Sequence, residues 1–184
     1  LGTQRLVRRR TCKNACLLYM KSVTQAVILA GGLGMRLRPL TLTTPKPMIP
    51  FLGKPFLQYL IELLKANGIR EVLLLVGHLH QQIEEYFGDG SKFGVTITYS
   101  YCPSEAKTGT RIRVAMPLLQ QKFLLLYGDN YWPLRLIELT QFYESMAAKA
   151  LVTIYHNRDG ATKNNMRVED GLVKVYDRKR QKKY

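Results

Sequence analysis

An apolar run that ends in glycines constrains this chain most. Ala26, Val27, Ile28 and Leu29 follow one another without a polar break, and LAGGLGMRLRPLT occupies residues 29–41. A continuous apolar run of strand length reads as a strand buried on both faces of a parallel sheet. Glycines directly after such a strand let the backbone turn sharply and approach a ligand closely. Their N–H groups can then line an anion site. Arg36, and Lys46 inside a Pro-Lys-Pro, stand where they can reach phosphates held by those N–H groups. The segment has the makings of a nucleoside triphosphate site. It is not a dinucleotide fingerprint, because no third glycine follows Gly32 and Gly34 at the required spacing. It is not a Walker loop either, because no Gly-Lys-Ser/Thr closes it.

The rest of the pattern alternates strands and helices. Strands are predicted at residues 25–29, 71–76, 95–101, 122–127 and 150–155. Helices are predicted at 56–67, 81–87, 113–120 and 134–149. Leu57, Leu60, Ile61 and Leu64 set the helical spacing in the first helix, and Gly68 ends it. Residues 165–167 and 172–176, around Glu169-Asp-Gly171, read as a hairpin. Such alternation argues for an α/β fold on a mostly parallel sheet. Ligands of such sheets bind beyond the carboxyl ends of the strands. The Gly31–Arg36 loop, the Gly77-His78 turn and the Gly128-Asp129 turn should gather there. Asp129 follows the apolar run 122–127 through Gly128, a good position for a carboxylate that holds Mg²⁺.

With these residues in view, the chain resembles the sugar-phosphate nucleotidylyltransferases. Their signature reads LAGG-x-G-x-RL-x-PLT, then Pro-Lys-Pro, then Gly-Lys-Pro, and residues 30–55 match nearly every element. The likeness continues at 59–69, 72–77, 86–95 and 125–130, and covers about residues 24–180. It implies a Rossmann-like three-layer sandwich, the nucleotide-diphospho-sugar transferase fold. It also implies a reaction: a nucleoside triphosphate and a sugar 1-phosphate give a nucleotide sugar and pyrophosphate. Arg36, Lys46 and Asp129 are then the catalytic residues, with Asp129 the ligand of a Mg²⁺ cofactor. Leu29, Ala30, Gly31, Gly32, Gly34, Gly109 and Thr110 bind the nucleotide, and Gly128 and Lys179 the sugar phosphate. The texture of residues 45–57 is most similar to members that use GTP with mannose or heptose 1-phosphate, with dTTP or CTP as alternatives.

Two stretches depart from the family pattern. The family carries Leu-Gly-Thr-Ala-Gly-Ala-Leu where this chain has Thr108-Gly-Thr-Arg-Ile-Arg-Val114, so Arg111 and Arg113 lack a counterpart. Near the end, Lys179 matches the sugar-phosphate lysine, but Arg178 replaces a glutamate. The family's second metal-binding aspartate has no position before Tyr184. Residues 24–184 are therefore expected to form a nucleotidyltransferase domain truncated at its C-terminus. Residues 1–23 are expected to be a basic extension outside the domain, with Met20 as the natural start.

Charge sharpens that division. The chain carries a formal net charge of +15. Residues 1–24 hold six cations and no acid, and residues 174–184 hold six cations and one acid. The middle is close to neutral, so the charge does not mark a folded nucleic-acid face. No apolar run nears the ~20 residues of a membrane span. Cys12, Cys16 and Cys102 form neither a disulfide framework nor a zinc pattern, which fits a reducing cytoplasm. His78 and His80 read as turn residues. A homo-oligomer is compatible with all of this. Three rival readings stand beside the enzyme: an inactive nucleotide-binding or regulatory subunit, a cytidylyltransferase for a non-sugar phosphate, and a nucleic-acid binder that uses the basic ends.

Overall fold

Five residues, Gln25–Leu29, form the central strand β1, and four of the five are buried. A computed structural model of the protein describes residues 23–133, 135–146, 148–155 and 165–177. The chain divides into one unit that runs to Ala147 and a second that begins at Ala148.

The first unit follows the predicted alternation. After β1 come three short 3-10 turns, at Met35–Leu37, Leu40–Leu42 and Lys46–Met48. A two-rung hairpin of β2 (Pro50–Phe51) and β3 (Lys54–Pro55) leads into helix α1 (Phe56–Ala66). Then come β4 (Glu71–Val76), α2 (His80–Phe87), β5 (Thr96–Tyr101), α3 (Thr108–Ala115), β6 (Phe123–Tyr127) and α4 (Leu136–Ser145). The main sheet has the order β5-β4-β1-β6, and every pair in it is parallel. Leu29 stands opposite Leu75 on one side and Tyr127 on the other, so β1 and β6 end level and β4 runs one residue further.

The pleat sends alternate side chains to opposite faces. Ala26, Ile28, Val72, Leu74 and Val76 pack in one core with Leu57, Leu60, Ile61 and Leu64 of α1, Ile83 and Phe87 of α2, and Leu136 of α4. Val27, Leu73 and Leu75 pack on the other face with Ala115 of α3. Helices thus cover both faces, and the fold is the expected three-layer α/β sandwich. The chain moves outward from β1 to β4 to β5, then crosses to β6 on the far side of β1. That reversal opens a crevice beyond the carboxyl ends of β1 and β6.

Three expectations are corrected. The helix expected at 113–120 begins at Thr108 and ends at Ala115, with a 3-10 turn at Met116–Leu118. Pro117 lacks an N–H and clashes with a preceding carbonyl, so the α-helix stops ahead of it. The helix expected at 134–149 runs over Leu136–Ser145. Asn67 Oδ1 accepts the Leu136 N–H at 3.1 Å and sets its start; Leu134 and Ala147 lie outside the described residues. The expected strand at 150–155 does not form, and Leu151, Val152, Ile154 and Tyr155 are exposed. A strand needs a ladder partner for its backbone groups, and among the described residues no strand pairs with these.

The second unit contains an antiparallel hairpin of β7 (Met166–Glu169) and β8 (Leu172–Tyr176). Asp170 and Gly171 turn it with φ of 52° and 72°, the positive values that a two-residue hairpin turn requires.

Candidate active site

At the end of β1 the Leu29–Ala30 peptide is fastened to both neighbouring segments. Ala30 N–H donates to Leu75 O at 3.0 Å, and Gly128 N–H donates to Leu29 O at 3.0 Å. The loop then leaves the sheet and folds back: Thr41, 1% exposed, donates its hydroxyl to Gly34 O at 3.1 Å. The same return brings the Lys46 Cβ to 3.1 Å from where a side chain on Gly34 would begin. Two 3-10 turns thus carry the chain back to the base of the glycine loop, where Lys46 opens a third.

The resulting cleft has a volume of about 370 Å³. Leu29, Ala30, Gly31, Gly32, Gly34, Arg36, Lys46, Gly128 and Asp129 all line it, drawn from two segments about a hundred residues apart in sequence. Lys46 Nζ stands 2.5 Å from Asp129 Oδ2, with the two side chains 25% and 35% exposed. Arg36 is exposed at the cleft wall and has no side-chain partner among the described residues. Gly109 and Thr110 are exposed and do not line the cleft; Ala106 and Thr108 take that wall instead. The early start of α3 turns the Gly-Thr pair away. Lys179 lies outside the described residues. His78 Nε2 donates to Thr41 O at 2.9 Å and ties its turn to the returning loop, while His80 Nδ1 pairs with Glu84 Oε1 one helical turn on within α2.

One cleft residue escaped the reading of the sequence. Arg111 is 4% exposed, and its guanidinium donates to five carbonyls. Nε bonds Ala106 O at 3.1 Å, and Nη1 bonds Val76 O at 3.0 Å. Nη2 bonds the carbonyls of Gly31, Pro103 and Ser104 at 2.9, 2.9 and 3.1 Å. A methyl group on Gly31 would lie 2.1 Å from Nη1 and 2.7 Å from the Val76 carbonyl carbon, so only glycine fits there. A signal existed: Arg111 stands four residues before Ala115 and shares its helix face.

Chemically, the cleft joins glycine-loop backbone, one carboxylate and three cations, of which Arg111 is spent on carbonyls and Arg36 and Lys46 face the opening. That set suits a polyanion. Mg²⁺ is typically held by one or two carboxylates together with substrate phosphates, and Asp129 fits as the protein's share. No group of three or more His, Cys, Asp or Glu that could hold a metal without substrate occurs among the described residues. No helix of the described residues is long and apolar enough to cross a membrane.

Comparison with known proteins agrees with the geometry. The UTP–glucose-1-phosphate uridylyltransferase of Synechocystis sp. is 36% identical over 140 residues, which cover 70% of this chain and 36% of that protein. The D-glycero-alpha-D-manno-heptose 1-phosphate guanylyltransferase of Campylobacter jejuni is 39% identical over 115 residues, 62% of this chain and 52% of that one. Among solved structures, HddC from Yersinia pseudotuberculosis complexed with GMP-PN superposes with a TM-score of 0.58 at 31% identity, over 67% of this chain and 54% of that one. The chain therefore spans between 36% and 54% of the length of these relatives. The profile of the family described as nucleotidyl transferase matches residues 25–178, and the chain belongs to that family.

Proposed function

We propose that the protein transfers a nucleotidyl group from a nucleoside triphosphate to a sugar 1-phosphate. A phosphate oxygen of the sugar 1-phosphate attacks the α-phosphorus. The bond from the α-phosphorus to the oxygen bridging to the β-phosphate breaks, its electron pair leaves with that oxygen, and pyrophosphate departs. The observation that carries this reading is the Lys46–Asp129 pair at the crevice beside the glycine loop.

Each group has work to do in such a displacement. Like charges must meet, so the protein must neutralise the triphosphate and set the two reactants in line. Backbone N–H groups of the glycine loop hold phosphate oxygens, and backbone of Leu29 to Gly31 meets the base. The planar fork of Arg36 suits the leaving pyrophosphate. Lys46 serves the α-phosphate, where charge changes most. A bound Mg²⁺, held by Asp129, would offset the negative charge that builds between phosphate oxygens. GTP is the first nucleotide to test, on the likeness of residues 45–57 to mannose- and heptose-linked members and on the guanylyl-transferring relative. We place the reaction in the cytoplasm, at the head of glycan assembly.

A second reading is nucleotide binding without turnover. It draws support from Gly109 and Thr110, which face away from the cleft where the family pattern has them meet the base. A pyrophosphate-release screen decides between the two. GTP, UTP, dTTP, CTP and ATP are paired with glucose, mannose and heptose 1-phosphates in Mg²⁺, beside Asp129→Asn. Release with one pair, lost in the variant, upholds the transferase. Silence with every pair, while a triphosphate still raises the melting temperature, upholds binding alone.

A further inference from the structure

The Arg111 guanidinium is a buried cation whose hydrogen bonds all go to carbonyls, with the exposed Glu105 carboxylate feeling its charge without pairing with it. Its five acceptors belong to Gly31 of the glycine loop, Val76 at the end of β4, and Pro103, Ser104 and Ala106 of the turn before α3. No ion pair joins it to an acid among the described residues. A buried charge is costly unless its hydrogen bonds are made, and here a single side chain makes them to three separate segments.

The contact with Gly31 has a geometric consequence. A trans peptide is planar, so the Gly31 carbonyl and the Gly32 N–H point in opposite directions. The Gly31 oxygen is held by Arg111 Nη2 at 2.9 Å and by the His78 N–H at 3.3 Å. The Gly32 N–H is therefore turned away from that wall. It donates to no acceptor among the described residues, and Gly32 lines the cleft. We propose that Arg111 is a positioning residue: by fixing the Gly31–Gly32 peptide, it holds the Gly32 N–H ready for an anionic oxygen of the ligand. The binding half of this inference rests on the nucleotide reading above. The loop-fixing half does not.

Lysine cannot substitute in this role. It keeps the charge, but its three donors on one nitrogen cannot reach five carbonyls spread around a planar fork. The test compares Arg111→Lys and Arg111→Ala with Arg113→Lys, an exposed control on the same helix. Amide hydrogen exchange and calorimetric titration with GTP and Mg²⁺ supply the readouts. In Arg111→Lys, exchange is expected to quicken at His78, Cys102 and Ala106, whose N–H groups bond the Gly31, Val76 and Pro103 carbonyls that Arg111 holds, while β1 and β4 keep their protection. GTP affinity is expected to fall roughly tenfold, the scale of losing one hydrogen bond to a charged oxygen. Millimolar guanidinium should restore Arg111→Ala in part, and Arg113→Lys should match the wild type.

Unchanged exchange and affinity in Arg111→Lys would overturn the proposal. So would loss of protection in β1 and β4 together with the loops, or loss of the cooperative thermal transition in both Arg111 variants, since either makes Arg111 a core residue. If the wild type binds none of GTP, UTP, dTTP, CTP and ATP, the nucleotide reading fails, and the exchange pattern alone judges the loop-fixing role.

Discussion

Lys46 Nζ meets Asp129 Oδ2, 83 positions away in sequence, tying the far end of the glycine loop to the carboxyl end of β6. Both side chains are partly exposed, and pairs in such settings contribute only about 0–1 kcal/mol to stability. The value of the pair lies in placing a cation and an acid where a triphosphate would enter. Asp129→Asn and Lys46→Met should therefore melt within a few degrees of the wild type. Each should lower pyrophosphate release by roughly 10²- to 10³-fold, the range for a group that stabilises transition-state charge. A large fall in melting temperature with activity intact would mean that the pair is structural.

Adjacent glycines of the loop should behave oppositely. Gly31 has Arg111 and Val76 against it, at 2.1 and 2.7 Å from an added methyl, whereas nothing lies within 4 Å of one on Gly32. Gly31→Ala must push aside the guanidinium and lose its carbonyl bonds, a cost of about 1–3 kcal/mol for overpacking alone. Gly32→Ala should leave stability within about 0.5 kcal/mol and still weaken nucleotide binding, because its methyl enters the cleft. Urea midpoints paired with nucleotide titration separate the two. Equal destabilisation would contradict the packing.

The glycine loop was legible in the sequence because its chemistry is local: strand, glycines and cations follow one another in order. β1 and β4 showed themselves as continuous apolar runs buried on both faces. The Lys46–Asp129 contact was not legible, because it depends on β6 taking the far side of β1, and no residue pattern states strand order. Arg111 was hidden for a different reason. Sequence patterns read burial from apolar side chains, and a cation satisfied by backbone carbonyls leaves no apolar mark. The run 150–155 misled in the opposite sense, having the composition of a strand without a ladder to join among the described residues.

An alkaline limb of stability should trace to Tyr99. Burial first, and the Glu84 carboxylate second, push its phenol up to about 12. The hydroxyl donates to Gly88 O at 2.7 Å. An unfolded tyrosine titrates near pH 10, so the folded state holds the proton more tightly. The stabilisation is full below about pH 10 and is lost as pH rises toward the folded value. Tyr99→Phe should cost about 1 kcal/mol at pH 8 for the lost hydrogen bond. It should also flatten the decline in urea midpoint between pH 10 and 12. The same slope in both proteins would assign the alkaline loss to another group.

Metal removal should act on the ligand complex and not on the fold. Asp129 is the acid among the residues lining the cleft, and it is held by Lys46 in the absence of ligand. One carboxylate that already has a cation beside it is a poor Mg²⁺ site until phosphate oxygens add further ligands. EDTA should leave the melting temperature of the protein alone unchanged. With nucleotide present, EDTA should cancel most of the stabilisation, because a ligand stabilises the folded state only as far as it binds it. Differential scanning fluorimetry with and without GTP, with EDTA or Mg²⁺, gives the four values required. A fall on EDTA treatment without nucleotide would reveal a resident metal. An equal rise with GTP in EDTA and in Mg²⁺ would mean that the loop N–H groups and the two cations hold the triphosphate without a metal.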